Sequence, residues 1–134
     1  MTKLSHANED YLEAVYMLSD GGCAPVRSVD IAARLSVSKP SVVRAVALLR
    51  DEGFVTQEPY GDIFLTEAGR AYGTALLERH RTLTSFFADV LGVEPSLAEE
   101  EACAIEHVIS EDTFRRWTAH IAAQLDEARG AAAR

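Results

Sequence analysis

The chain has 134 residues, 48 % of them hydrophobic, which suits one large or two small domains with ordinary cores and excludes a disordered chain. No apolar run approaches the roughly 18 residues of a membrane span, and Met1 to Asp10 lacks the apolar stretch of a signal peptide, so a cytoplasmic protein with no membrane partner is expected. The formal net charge of −8 argues against nucleic acid as a partner, but residues 27–50 hold five Lys and Arg against Asp30 alone, whereas residues 94–112 hold seven Asp and Glu and no base.

Residues 8–18 place Tyr11, Leu12, Val15, Tyr16 and Leu18 at helical spacing, with Ser5 or Asn8 as cap and Gly21-Gly22 as stop. A second helix is expected over Arg27–Leu35, capped by Ser28, with Val29, Ile31, Ala32 and Leu35 inward. After the break Ser36-Val37-Ser38, Ser38 caps a third helix with Pro40 in its first turn, where a missing N–H costs little. That helix reaches about Glu52, with Val42, Val43, Val46, Leu48 and Leu49 available for packing, and Gly53 closes it. Phe54-Val55-Thr56 and Ile63-Phe64-Leu65 are β-type triplets around a turn-forming Gln57 to Asp62, which predicts a hairpin. Thr66 opens a long helix to about Val90; Gly92 and Pro95 break the chain. Two further helices are expected near 96–109 and 110–129, the last opened by Ser110 with Thr113, and a frayed end from Gly130.

Two short helices around a tight turn, followed by a hairpin, make a winged helix-turn-helix whose second helix enters the major groove. Lys39, Ser41 and Arg44 then face DNA, and Ser38 and Ser41 can donate to phosphates. Arg27 and Pro40 belong to the same surface, and Tyr60 with Gly61 tips the wing towards a minor groove. The plainer reading of this segment is a helical domain with a solvated basic face; the cap, the proline, the apolar spacing and the hairpin together favour DNA.

Candidate metal ligands come from several places. Asp10 and Glu13 are three apart and share a helical face, and His80 lies deep in the long helix. Cys103, Glu106 and His107 stand at i, i+3 and i+4, with Glu99 one turn earlier extending the stripe. Singly, such residues are ordinarily a solvated face, a structural histidine or a small core cysteine. Together a thiolate, a carboxylate and an imidazole in register suit a first-row transition metal rather than magnesium or calcium. Carboxylate oxygens favour iron(II) and manganese(II), and the close cysteine pairs of a structural zinc site are absent. Two cysteines 80 positions apart do not suggest a disulfide framework, so a reduced thiol is expected.

The residues that carry a family resemblance are Glu9-Asp10-Tyr11-Leu12-Glu13 with Tyr16, Asp30-Ile31-Ala32 with Leu35, and Val37-Ser38-Lys39-Pro40-Ser41-Val42. Further carriers are Leu65-Thr66 with Gly69, Arg79-His80, and Glu101-Ala102-Cys103 leading to Glu106-His107 and Ile109-Ser110. Over nearly its whole length the sequence resembles the diphtheria-toxin-repressor family of iron- and manganese-dependent repressors, in its short two-domain branch. The pattern gives a mostly α fold, a winged helix-turn-helix over residues 1–66 and an all-helical domain over residues 67–134, and the resemblance implies that the second domain binds metal and mediates dimerisation. It implies a homodimer on double-stranded operator DNA, no enzymatic activity and no organic substrate. It also implies metal ligands at Asp10, Glu13, His80, Cys103, Glu106 and His107. Manganese-responsive members typically carry a glutamate where this chain has Cys103 and an aspartate at Asp10; iron-responsive members carry the cysteine, with methionine in place of the aspartate. This chain mixes the two, with iron(II) the first choice and manganese(II) the second. Two ligands of the ancillary site of longer members align with Thr84 and Glu99; Thr84 is a poor ligand, and a carboxylate-bridged pair using His80 is the alternative.

Because the ligands come from both ends of the chain, metal binding is expected to tie the first helix to the helical domain and fix the spacing of two recognition helices in the dimer. The competing readings are a winged-helix regulator with a non-metal signal and a helical metalloenzyme; the latter usually shows paired Glu-x-x-His motifs, which this chain lacks.

Overall fold

The computed structural model describes residues 4–59, 61–106 and 108–132, and the chain divides into two compact units, Met1–Leu76 and Leu77–Arg134.

In the first unit, α1 (His6–Leu18) begins on Ser5, whose hydroxyl accepts the Asn8 N–H at 3.3 Å. Its inward face buries Glu9, Leu12, Ala14 and Val15. Helix α2 (Ser28–Leu35) ends at Ser36, whose φ of 54° and ψ of 47° place it in the left-handed region and turn the chain sharply into α3 (Lys39–Asp51). The N-cap of α2 is Arg27, without a side-chain hydrogen bond, so Ser28 is the first helical residue rather than its cap. Ser38 caps α3 as expected, accepting the Ser41 N–H at 3.3 Å, with Pro40 in the first turn.

Leu12, Val15, Ile31, Val42, Val46, Leu49, Phe54 and Ile63 form the centre of this unit's core. Three residues expected to pack do not: Val29 is 43 %, Val43 63 % and Leu48 38 % exposed. The inward stripe of α3 is already filled by Val42, Ala45, Val46 and Leu49, and one residue's step turns a neighbour about 100° away from it.

The hairpin pairs β1 (Val55–Gln57) with β2 (Ile63–Leu65) antiparallel, Val55 opposite Leu65 and Gln57 opposite Ile63. Phe54 stands outside the ladder but is buried, its N–H bonded to the Leu49 carbonyl at 2.9 Å. Val26 adds a rung on the far side of β2, exchanging two 2.8 Å hydrogen bonds with Ile63. One bridging residue carries no period, which is why sequence pattern does not show it.

Helix α4 (Glu67–Ser85) is clasped at its start by Thr66, whose hydroxyl donates to the Gly53 carbonyl at 2.7 Å and accepts the Gly69 N–H at 3.1 Å. Gly69 is required by close approach: a β-carbon there would collide with the Phe54 carbonyl oxygen. Tyr72 packs edge-on to Phe54, with ring centroids 5.1 Å apart. These contacts hold the first half of α4 in the first unit.

In the second unit α4 widens into a π-helical turn, Phe86–Val90, before Gly92 at φ 74°. Helix α5 (Pro95–Ile105) follows, then α6 (Glu111–Ala132). Leu83, Ala102, Phe114 and Ile121 are the buried centre, and Trp117 stands edge-on to Phe86 and Phe87 at 6.2 and 6.3 Å. Helix α5 stops four residues short of the expected 109. Helix α6 runs through Gly130, where the sequence pattern ends, to Ala132.

Candidate metal centre and nucleic-acid interface

The start of α3 is a small polar network. The Ser38 and Ser41 hydroxyls lie 2.8 Å apart, and Arg44 Nη2 donates to Ser41 Oγ at 3.4 Å. Lys39, Pro40 and Arg44 are exposed, while Ser41 is half-buried. Ser38 Oγ already accepts the Ser41 N–H, so the serines act first on the helix and on Arg44, holding the guanidinium against the first two turns. A shallow groove of about 680 Å³ runs from Arg27 and Val29 past Val43 and Arg50 to Gln57 and the wing turn. In that turn Gly61 N–H donates to the Glu58 carbonyl at 2.8 Å, and Gln57 Nε2 donates to the Gly61 carbonyl at 3.2 Å. Tyr60, expected at the tip, lies outside the described residues. Sequence reasoning counted Arg50 as charge only and took Val29 and Val43 as core; their place on this groove had no signal beyond the helical angle.

On α1, Asp10 and Glu13 are half-buried beside the inward Glu9 and Leu12. Glu9 is 9 % exposed, and its Oε2 accepts the Tyr72 hydroxyl at 2.7 Å. The same hydroxyl accepts the Leu4 N–H at 3.2 Å. Tyr16 Oη accepts the Thr74 hydroxyl at 3.0 Å, so two tyrosine contacts fix α1 on the first half of α4.

In the second unit His80 Nδ1 and Glu106 Oε1 are 3.1 Å apart, both largely buried, with side chains 17 % and 21 % exposed. Glu106 is the C-cap of α5 and keeps helical dihedrals, φ −58° and ψ −27°. It therefore stays about one turn from Cys103, which is exposed, as is Glu99. His107 lies outside the described residues.

The other acids of the segment divide by what holds them. The Ser96 hydroxyl, then the Ser96 and Leu97 backbone, hold the Glu94 carboxyl below its ordinary pKa, because Glu94 caps α5. Hydrogen bonds from Arg116 and then Arg115 hold Asp112 low. Glu111 meets Arg79 at 3.3 Å, and the Arg79 guanidinium lies over the Phe114 ring. Within neither unit do three described His, Cys, Asp or Glu side chains converge as a metal group.

The donor chemistry nevertheless fits a divalent transition metal. His80 and Glu106 already place a nitrogen and an oxygen donor side by side in a mostly buried position. One helical turn beyond His80, the buried Thr84 hydroxyl has no hydrogen-bond partner among the described residues.

Residues 3–63 match the model of the iron dependent repressor N-terminal DNA binding domain, and residues 66–123 that of the iron dependent repressor metal binding and dimerisation domain. The chain belongs to the iron-dependent repressor family. Over 113 residues it is 33 % identical to an uncharacterized HTH-type transcriptional regulator of Methanocaldococcus jannaschii, covering 84 % of this chain and 90 % of that one. Over 116 residues it is 34 % identical to the diphtheria toxin repressor of Corynebacterium diphtheriae, covering 87 % of this chain and 51 % of the repressor. The structure of the manganese regulator SloR matches with a TM-score of 0.68 at 28 % identity, over 94 % of this chain and 55 % of SloR. The chain thus spans about half the length of these two, and nearly all of the archaeal relative. Among the described residues no helix is long and apolar enough to cross a membrane.

Proposed function

We propose that this iron-dependent repressor relative is a cytoplasmic, homodimeric transcriptional repressor that holds operator DNA when iron(II), or in second place manganese(II), is bound. The observation that carries the reading is the His80–Glu106 pair, donors 3.1 Å apart in a chain that also has a winged helix with Lys39 and Arg44 exposed. In this reading residues 1–66 bind DNA through Arg27, Ser38, Lys39, Pro40, Ser41, Arg44 and Tyr60. Residues 67–134 serve metal binding and dimerisation.

Asp10 and Glu13 of α1, His80 of α4, and Cys103, Glu106 and His107 at the end of α5 are the proposed ligands, with Glu99 beside them. When bound, the divalent cation supplies the positive charge that lets these carboxylates and a thiolate stand together. Cys103 would hold the metal as a thiolate, releasing its thiol proton, so affinity should rise with pH. Before binding, the hydrogen bond between His80 Nδ1 and Glu106 Oε1 holds the imidazole in orientation. Glu9, pinned by Tyr72, fixes the turn of α1 that presents Asp10 and Glu13. In the dimer, two copies of α3 must meet half-sites about one helical turn or a multiple apart. Ligands drawn from both ends of the chain allow the bound form to fix that spacing. The thiolate places iron first, and the carboxylates keep manganese second.

The test is an anaerobic titration of metal-free chain with cobalt(II), in wild type and Cys103→Ala. A saturating thiolate-to-metal charge-transfer band that disappears in the variant is the expected result. Tight binding by calorimetry with no band would remove Cys103 from the ligand set and favour manganese. No binding of cobalt(II), iron(II) or manganese(II) would overturn the metal-dependent reading and leave a winged-helix regulator with another signal.

A further inference from the structure

The basic and polar residues of α3 leave one prominent side chain unexplained. Val43 precedes Arg44 and is 63 % exposed, against 38 % for Leu48 on the same helix. Single exposed apolar side chains are ordinary on protein surfaces. Here, however, Val29 from α2, itself 43 % exposed, lines the same groove, together with Arg27 and Arg50. Valine at an exposed helical position is worse than lysine, glutamate or alanine both for helix formation and for hydration. The inward stripe of α3 does not need it, being filled by Val42, Ala45, Val46 and Leu49. Neither folding nor solubility therefore accounts for an apolar wall at this place.

We propose that Val43 is a specificity-determining residue that reads thymine, its methyl groups meeting the thymine C5-methyl in the major groove, with Val29 extending the apolar wall. The inference rests on the DNA-binding reading above and deepens it. The C5-methyl of thymine is the one apolar group among the base-edge features of the major groove, so an apolar side chain on a recognition helix discriminates for it. Position 43 lies in the second turn of α3, within the N-terminal part of a recognition helix that reaches base edges. The charges of the groove agree with a duplex as its occupant. Arg27 and Arg50 supply cations for phosphates on the side of α2 and α3, while Glu58 and Asp62 at the wing end repel them. Phosphates held on the basic side leave base edges to face the valines. Arg44, one residue beyond Val43 and oriented by Ser41, then reads a neighbouring guanine or phosphate.

The experiment starts from an operator selected in vitro with the full chain and manganese(II) or, anaerobically, iron(II). Each thymine of that operator is then replaced by deoxyuridine, which removes only the methyl group. The expected result is one thymine per half-site whose replacement weakens wild-type binding about fourfold, the factor for burying one methyl. Val43→Ser should lose a similar factor on the thymine operator and be indifferent to deoxyuridine at that position alone. Val43→Thr, which keeps the branch and one methyl, should fall between, and thermal melting of the metal-free variants separates this from a folding defect. A selected operator with no methyl-sensitive thymine would overturn the proposal and leave the DNA-binding reading standing. So would a Val43→Ser variant that loses equally on thymine and deoxyuridine duplexes. Failure of wild type to select any sequence would overturn both.

Discussion

At the scale of single residues, the chemistry sits on side chains whose neighbours already orient them. Arg44 is the clearest case: its guanidinium rests on Ser41, itself bonded to the Ser38 cap. Arg44→Ala should cost about 1–3 kcal/mol of operator binding if it reads a guanine, measured by fluorescence anisotropy at fixed salt. If it holds only a phosphate, the loss should be uniform across sequences and the salt slope should drop by about one. Glu106→Gln keeps a hydrogen-bonding group beside His80 but removes the charge. Metal affinity should fall at least tenfold by calorimetry while the metal-free melting temperature stays nearly constant. The candidate ligands were legible in the sequence because helical spacing makes Cys103 and Glu106 neighbours without any tertiary knowledge. The His80–Glu106 contact joins residues 26 positions apart and had no local signal. Glu9 was hidden for a related reason: a carboxylate on an amphipathic helix reads as solvent-facing until Tyr72 arrives from α4 to bury it.

At the scale of elements, caps and close approaches set the boundaries. Ser38→Ala removes both the N-cap of α3 and the anchor of Ser41, so the first unit should lose about 1 kcal/mol, read by chemical denaturation. Helix α5 has a cap that titrates. The Glu94 carboxyl is held below its ordinary pKa in the folded chain, so its contribution is fully present above the ordinary value. That contribution fades as pH falls through the lowered value. Glu94→Gln should therefore lower the melting temperature at neutral pH and match wild type well below the carboxylate range. Caps such as Ser5, Ser38 and Ser110 were readable because they sit directly before periodic apolar residues. The errors have one physical source each. Ser28 looks like a cap but follows the true boundary at Arg27; Val43 and Leu48 satisfy an apolar count but not the 100° step; Val26 pairs with Ile63 without belonging to any run.

At the scale of the whole molecule, an acidic chain acts on an acidic polymer by separating its charges. The bases of residues 27–50 gather on the helix-turn-helix, and the acids of 94–112 lie in the second unit. Family membership and the split between DNA-binding and metal-binding domain models fit that division. What the two units do to each other is the functional question. Were the proposed ligands of α1 and α5 to hold one cation, that effector would change DNA affinity by favouring one state of the chain, without touching DNA. Reciprocity follows: operator DNA should tighten metal binding by the same factor that metal tightens DNA binding.

The most direct test of that claim is operator binding by the full chain, followed by anisotropy under anaerobic conditions, with iron(II) or manganese(II) and then with excess chelator. Affinity should rise between roughly 5- and 150-fold with metal, a coupling of about 1–3 kcal/mol, and in Glu106→Gln the rise should need at least about tenfold more metal. Equal affinity in metal and in chelator would contradict the account.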